Sequence, residues 1–144
     1  MLVHQILGAK SEAGVITIKP EITVSDAAEL LSSRRIGAVI VSEDGKVPLG
    51  ILSERDIVRE LGRRGTGCLQ ERVGTMMTKD LIGCARDDKA DAVLAKMTAG
   101  HFRHMPVMQG EEMVGLISIG DVVKARLSEL SMEKEALQGM IMGH

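Results

Sequence analysis

Aromatic side chains are almost missing from this sequence of 144 residues, which holds one Phe, no Trp and no Tyr. Their absence removes the stacking platforms on which single-stranded nucleic acids are held. Neither sign of charge dominates, since 18 Lys and Arg stand against 20 Asp and Glu for a net charge of −2. Nothing in that balance pulls the chain toward nucleic acid or an anionic membrane. Cysteine is scarce too: Cys68 and Cys84 are alone, with no CxxC and no His pair at ligand spacing. Two such thiols exclude a disulfide scaffold and fit a reducing compartment, so a cytoplasmic protein is expected. No apolar run approaches the ~20 residues of a membrane span. Met1-Leu2-Val3-His4-Gln5 has neither the basic stretch nor the apolar core of a signal peptide. Catalytic signatures are also missing: there is no nucleophile elbow, no Walker loop and no G-x-G-x-x-G after a strand.

What is present is a repeat. Gly50-Ile51-Leu52-Ser53-Glu54-Arg55-Asp56-Ile57-Val58 returns as Gly115-Leu116-Ile117-Ser118-Ile119-Gly120-Asp121-Val122-Val123. Upstream, Ile36 to Val41 answers to Phe102 to Val107, with a one-residue slip absorbed in the following turn. The lead-in segments match as well: Val3-His4-Gln5-Ile6-Leu7 resembles Val73-Gly74-Thr75-Met76-Met77. Such self-similarity marks a duplicated supersecondary unit. Each half is too small to be stable alone, so the halves are expected to pack together. With 44 % hydrophobic and 26 % charged residues the chain is globular, and its ten methionines read as filler for irregular core gaps.

The pattern of each half reads β-α-β-β-α, an α/β (α+β) fold. In the first, a short strand ends at Pro20, and Thr23-Val24-Ser25-Asp26 opens a helix. Ile36–Val41 and Leu49–Leu52 are strands around an Asp44-Gly45 turn. Ser53 then starts a helix that Gly62 is expected to stop. The second half gives a strand near Leu81–Cys84, a helix over Asp91–Thr98, strands at Met105–Met108 and Met113–Ser118, and a helix from Gly120. Parallel pairing of each first strand requires its helix as a crossover. The organisation expected is a first repeat over 1–62, a linker over 63–72 and a second repeat over 73–127. An amphipathic helix over 128–144 completes it. Leu127, Leu130, Leu137 and Ile141 recur there at helical spacing, with Gly139 and Gly143 marking fraying. A stripe not needed to close the repeat implies packing across a subunit boundary, hence a homodimer. The basic run at Arg63-Arg64 reads as a solvated helix end.

Both Ser-x-x-Asp segments, Ser53 with Asp56 and Ser118 with Asp121, stand where a strand passes into a helix. Their spacing is that of a capping box, with Asp in place of Glu, and Asp is expected to reach the cap backbone less well. Helix amides at the end of a strand are also a natural anion site. A hydroxyl beside a carboxylate suits phosphate and vicinal ribose hydroxyls. Both duties can hold at once. Arg103-His104-Met105-Pro106-Val107 sets an Arg–His pair just before a buried strand, and Arg is a good phosphate partner. The first half has Gly37-Ala38 there. His101 and His104 lie three apart with no further ligand, so no metal site is expected. Asp26 and Asp91 head helices as caps or dipole partners, and Glu111-Glu112 is turn surface.

On Gly50-x-x-Ser53-x-x-Asp56, Gly115-x-x-Ser118-x-x-Asp121 and Arg103-His104-Met105-Pro106-Val107, the chain resembles a tandem pair of CBS domains, a Bateman module, of the small stand-alone bacterial type. The likeness spans nearly the whole chain. It implies two pseudo-symmetric repeats packed sheet to sheet, a flat homodimer, and a regulatory adenosine-ligand sensor with no catalytic role. The ligand class is AMP, ADP, ATP or NAD(H), held in two clefts where Asp takes ribose, Ser helps with phosphate, and the opposite repeat's first strand encloses adenine. The resemblance assigns Ser118, Asp121, Arg103 and His104, with Ile16, Gly37 and Ala38, to one cleft. It assigns Ser53 and Asp56, with Thr78, Ile82 and Arg103 from across, to the other, while Met105 and Pro106 belong to the motif. Because Gly37-Ala38 replaces Arg-His, phosphate binding at the Asp56 cleft is in question. The competing reading is a structural or partner-docking protein with vestigial clefts, against which the intact Ser and Asp of both repeats argue. An enzyme lacks a nucleophile or metal set.

Overall fold

The computed structural model describes residues 1–10 and 15–141. Its elements run α1 (Val3–Ala9), β1 (Thr17–Ile18), α2 (Val24–Arg34), β2 (Ala38–Val41), β3 (Gly50–Ser53), α3 (Glu54–Arg64), α4 (Val73–Met76), β4 (Cys84–Ala85), α5 (Ala90–Gly100), β5 (His104–Gln109), β6 (Glu112–Ser118) and α6 (Ile119–Ile141). A 3-10 turn over Thr66–Gln70 follows α3. The strands form two three-stranded sheets, β1-β2-β3 and β4-β5-β6. In the first sheet β1 runs parallel to β2, with α2 as crossover, and β2 pairs antiparallel with β3, Ala38 opposite Ser53. The second repeats the parallel pair, with Cys84 opposite Val107. The duplicated β-α-β-β-α order is therefore real.

The chain divides into two compact units. One takes the described residues of Gly14–Ile82 with Gly110–Val114; the other takes those of Met1–Ala13, Gly83–Gln109 and Gly115–His144. The units and the sequence halves divide the chain differently, because each lead-in helix joins the repeat it does not precede in sequence. In the β1–β3 unit, Val73 donates its amide to Ile22 O at 2.8 Å and Val24 donates to Glu71 O at 2.8 Å. In the β4–β6 unit, Val3 donates to Asp88 O at 2.9 Å and Ala90 to Met1 O at 3.0 Å. The matched lead-ins thus close matched edges.

Each unit has its own core. Val24, Leu31, Val39, Val41, Leu52, Ile57 and Val73 fill the first. Val3, Ile6, Val93, Met97, Met105, Val107, Ile117 and Val122 fill the second. All four residues of β2 are buried, as its continuous apolar run requires. Full burial of one such aliphatic side chain contributes roughly 1.5–3 kcal/mol. Met97, Met105 and Met113 are core filler, whereas Met132 and Met140 are exposed.

Several element ends differ from expectation. Gly62 does not stop α3; the helix runs to Arg64 and breaks at Gly65, where φ is 78°. Arg63 and Arg64 pair with Glu60 on the preceding turn, and Leu61 packs against the core, so the helix continues past the glycine. Gly139 likewise lies inside α6, and Gly143 lies outside the described residues. The strand expected near Leu81–Cys84 is confined to Cys84–Ala85. α2 and α5 end on Arg35 and His101, both left-handed at φ 54° and 57°. Neither left-handed residue is itself a glycine, so the local sequence does not announce these caps.

Candidate functional site

Strand-to-helix junctions place the Ser-x-x-Asp residues. Ser53 closes β3 and caps α3: its Oγ accepts the Asp56 amide at 3.2 Å, and Asp56 Oδ2 accepts the Ser53 amide at 3.0 Å. Ser118 closes β6 in the same way, with 3.1 Å to the Asp121 amide and 2.9 Å from its own amide to Asp121 Oδ2. Both motifs are complete capping boxes. The expectation that Asp reaches back poorly is corrected, because the extended backbone of the cap residue, φ −110° and ψ 158° at Ser53, brings its N–H within reach of the shorter side chain.

The start of the central strand is tied to the same junction. Glu54 donates its amide to Gly37 O at 2.9 Å, and Ile119 donates to Arg103 O at 2.8 Å. Gly37 and Arg103 are therefore equivalent positions. In the β4–β6 unit this fixes the Arg103 backbone at the first amide of α6, beside Ser118 and Asp121. Arg103 is exposed and His104 half-buried, while Met105, Pro106 and Val107 are buried. β5 starts at His104 itself, not one residue later.

The two carboxylates differ in what neutralises them. Asp56, 8 % exposed, receives Arg59 Nη2 on Oδ1 at 2.9 Å, from one turn along its own helix. Asp121 is less buried and receives Lys10 Nζ on Oδ2 at 2.9 Å, from just beyond α1. Lys10 also donates to Leu116 O at 3.1 Å. Among the described residues nothing donates to Asp121 Oδ1. Burial works to raise the Asp121 carboxyl, but the Ser118 amide and the Lys10 ammonium outweigh it and hold the acid below its ordinary value. The two cations differ in what the sequence shows of them. Arg59 was legible as an i,i+3 partner, whereas Lys10 is 111 residues from Asp121 and left no local signal.

A cleft of about 410 Å³ opens beside Asp121, lined by the polar Lys10, Lys124 and Ser128 and by the apolar Met1, Ile6, Ala9 and Ala125. That volume suits a small-molecule ligand. The β1–β3 unit has a depression of about 520 Å³ between α2 and α3, whose lining includes Gly37 and Glu54 but neither Ser53 nor Asp56. Of the other residues singled out, Ile16, Gly37, Ala38, Ser53, Asp56, Thr78 and Ile82 all fall in the β1–β3 unit. Thr78 bonds Ile51 of β3 through both backbone groups, at 3.0 and 2.9 Å. Ile82 is exposed, Ile16 half-buried and Ala38 buried. Arg103, His104, Met105, Pro106, Ser118 and Asp121 fall in the other unit.

Among the described residues no group of three or more His, Cys, Asp or Glu could hold a metal ion. No helix there is long and apolar enough to cross a membrane. Burial pushes the Cys84 thiol up to about 11, with Asp88 adding to the rise.

Comparison with known proteins adds four observations. A family model described as CBS domain matches residues 11–63 and 73–128. A CBS domain-containing protein of Arabidopsis thaliana, the mitochondrial CBSX3, is 34 % identical over 84 % of the chain; the chain spans 61 % of that relative's length. A CBS-domain-containing protein of Agrobacterium tumefaciens has a structure that superposes with TM-score 0.82 at 40 % identity, covering 88 % of this chain and 99 % of its own. In fold alone, the chain is also similar to a CBS domain protein of Pyrobaculum aerophilum complexed with AMP, with TM-score 0.76 at 24 % identity and coverages of 92 % and 99 %.

Proposed function

The chain belongs to the CBS-domain family, with two CBS domains in tandem, and from that premise we propose that it is a non-catalytic regulatory module binding an adenosine nucleotide. AMP, ADP, ATP and NAD(H) share the adenosine that the site recognises. The observation that carries the reading is Asp121: a capping carboxylate with one oxygen uncommitted, set beside a helix N-terminus, the Ser118 hydroxyl and a cleft of ligand size. Asp121 holds the vicinal ribose hydroxyls, a task for two acceptor oxygens. Ser118 and Arg103 meet the phosphate, at a helix N-terminus whose dipole favours negative charge. The AMP-bound structure of the similar fold supports the class of ligand.

Ser53 and Asp56 form the second, weaker site. Gly37 brings no cation where the other repeat has Arg103, and Arg59 already occupies Asp56 Oδ1. Occupancy of the Asp121 site reports energy or redox state to a regulated partner. The buried free thiols Cys68 and Cys84 fit a reducing compartment such as the cytoplasm. A homodimer covers the stripe of α6 formed by Leu127, Leu130, Leu137 and Ile141, all of them exposed.

A thermal-shift panel tests the reading. At ~100 times its Kd a ligand adds roughly 2.7 kcal/mol, which raises Tm by roughly 5–10 °C for a chain of this size. AMP, ADP, ATP or NAD(H) is expected to give that shift. If every adenosine compound leaves Tm unmoved at millimolar concentration, the sensor function fails and a docking role takes its place.

A further inference from the structure

Lys10 blocks the oxygen that a ribose would need. Asp121 Oδ2 already takes the Ser118 amide and Lys10 Nζ, each at 2.9 Å, and those two donors use both of its lone pairs. A vicinal diol binds a carboxylate through both oxygens, so it has to displace one donor. The Ser118 amide is fixed by the capping box, whereas Lys10 is held by a flexible side chain that is 36 % exposed. The displaced ammonium would keep only the Leu116 carbonyl, at 3.1 Å. The Asp56 site has no such arrangement: its Oδ2 takes the Ser53 amide alone, and its cation comes from Arg59 on the same helix. At the equivalent place in α6, three residues after Asp121, Lys124 makes no ion pair among the described residues and lines the same cleft as Lys10.

We propose that Lys10 is the specificity-determining residue of the Asp121 site: an intramolecular stand-in for the ligand that gives way only to adenosine compounds carrying their own anion. This rests on the reading of Asp121 as the ribose-binding residue. Neutral adenosine has to break the Lys10–Asp121 pair without replacing it. A nucleotide breaks the same pair but offers Lys10 a phosphate, within a cleft that gives the side chain room to turn. The stand-in thus penalises adenosine and spares AMP, in a site otherwise built to bind the nucleoside they share.

Calorimetric titration of adenosine and AMP into the wild-type chain, Lys10→Met and Lys10→Arg decides it. Lys10→Met is expected to bind adenosine about two- to fivefold more tightly, the worth of one partly exposed ion pair. Its AMP affinity holds or falls, so the preference for AMP narrows; Lys10→Arg keeps the wild-type preference. A residue that merely anchors α1 would weaken both ligands together when removed, which overturns the proposal. An adenosine affinity that stays flat, or below detection in both proteins, also overturns it. If AMP still binds the wild type in those cases, the ribose site stands and only the role of Lys10 is lost. If neither compound binds any of the three proteins, the site reading itself has failed and Lys10 has no ligand to discriminate.

Discussion

Gly50 and Thr78 approach so closely that a Cβ on Gly50 would lie 2.8 Å from the Thr78 carbonyl oxygen and 2.6 Å from Met77 Sδ. The glycine that heads the first G-x-x-S-x-x-D motif is therefore demanded by the lead-in segment docked on β3. The nearest atoms to a Cβ on its counterpart Gly115 are the side-chain tip of Leu7, at 2.8 and 2.9 Å. The same motif glycine thus meets backbone in one unit and a movable side chain in the other.

Gly50→Ala is expected to cost about 1–3 kcal/mol, since backbone cannot yield as a rotamer can. Gly115→Ala is expected to cost less, because Leu7 can turn away. Urea denaturation of the two variants checks the order. Equal losses would mean that Leu7 is as fixed as the Thr78 backbone.

Arg103 is the cation that the first repeat lacks at Gly37. Arg103→Gly recreates that condition at the Asp121 site, and AMP affinity is expected to fall roughly tenfold to a hundredfold, the value of a charge-assisted hydrogen bond. Adenosine binding is expected to stay unchanged. Titration of both ligands separates a phosphate contact from a general loss of the site, which would weaken both.

Cys84 gives the fold an alkaline dependence. The folded thiol holds its proton up to about 11, above the ordinary value of 9.0, because it is buried. Between those values the unfolded chain has released the proton and the folded chain has not, so stability falls as pH rises. Cys84→Ala is expected to flatten that part of the profile relative to wild type. Urea midpoints between pH 8 and 11 measure it, and parallel profiles would show that Cys84 does not contribute.

The exposed stripe of α6 makes association testable. Light scattering is expected to report a dimer for the full chain and weaker association after truncation at Leu127, with adenosine-ligand binding retained. A monomer at high concentration for the full chain would rule out the dimer.

The repeat made most of this fold legible, because duplicated strands and helices leave a pattern that no single element needs to carry. Thr23, Ser53 and Ser118 were readable as caps for the same reason: their chemistry is local. What escaped was non-local or depended on backbone conformation. Arg35 and His101 adopt left-handed φ without a glycine to announce it. The exchange of lead-in helices between units depends on edge hydrogen bonds such as Val3 to Asp88, which leave no mark in composition. Lys10 is the clearest case, since its partner is 111 residues away. Gly62 is carried inside the helix because the cost of one glycine, about 1 kcal/mol, is offset by the Glu60 pairs with Arg63 and Arg64 together with the packing of Leu61 against the core.

Asp121→Glu separates the two duties of one carboxylate. Glu is the commoner partner in a capping box, so the variant is expected to fold with wild-type stability. A ribose held by both oxygens does not tolerate the extra methylene, and the loss of one charge-assisted hydrogen bond, ~1.5–3 kcal/mol, lowers AMP affinity roughly tenfold to a hundredfold. Calorimetric titration of AMP into the folded variant is the measurement. An unchanged Tm without ligand beside that loss of affinity is the expected result; wild-type AMP affinity in a normally folded Asp121→Glu protein would leave Asp121 as a helix cap with no part in holding ribose.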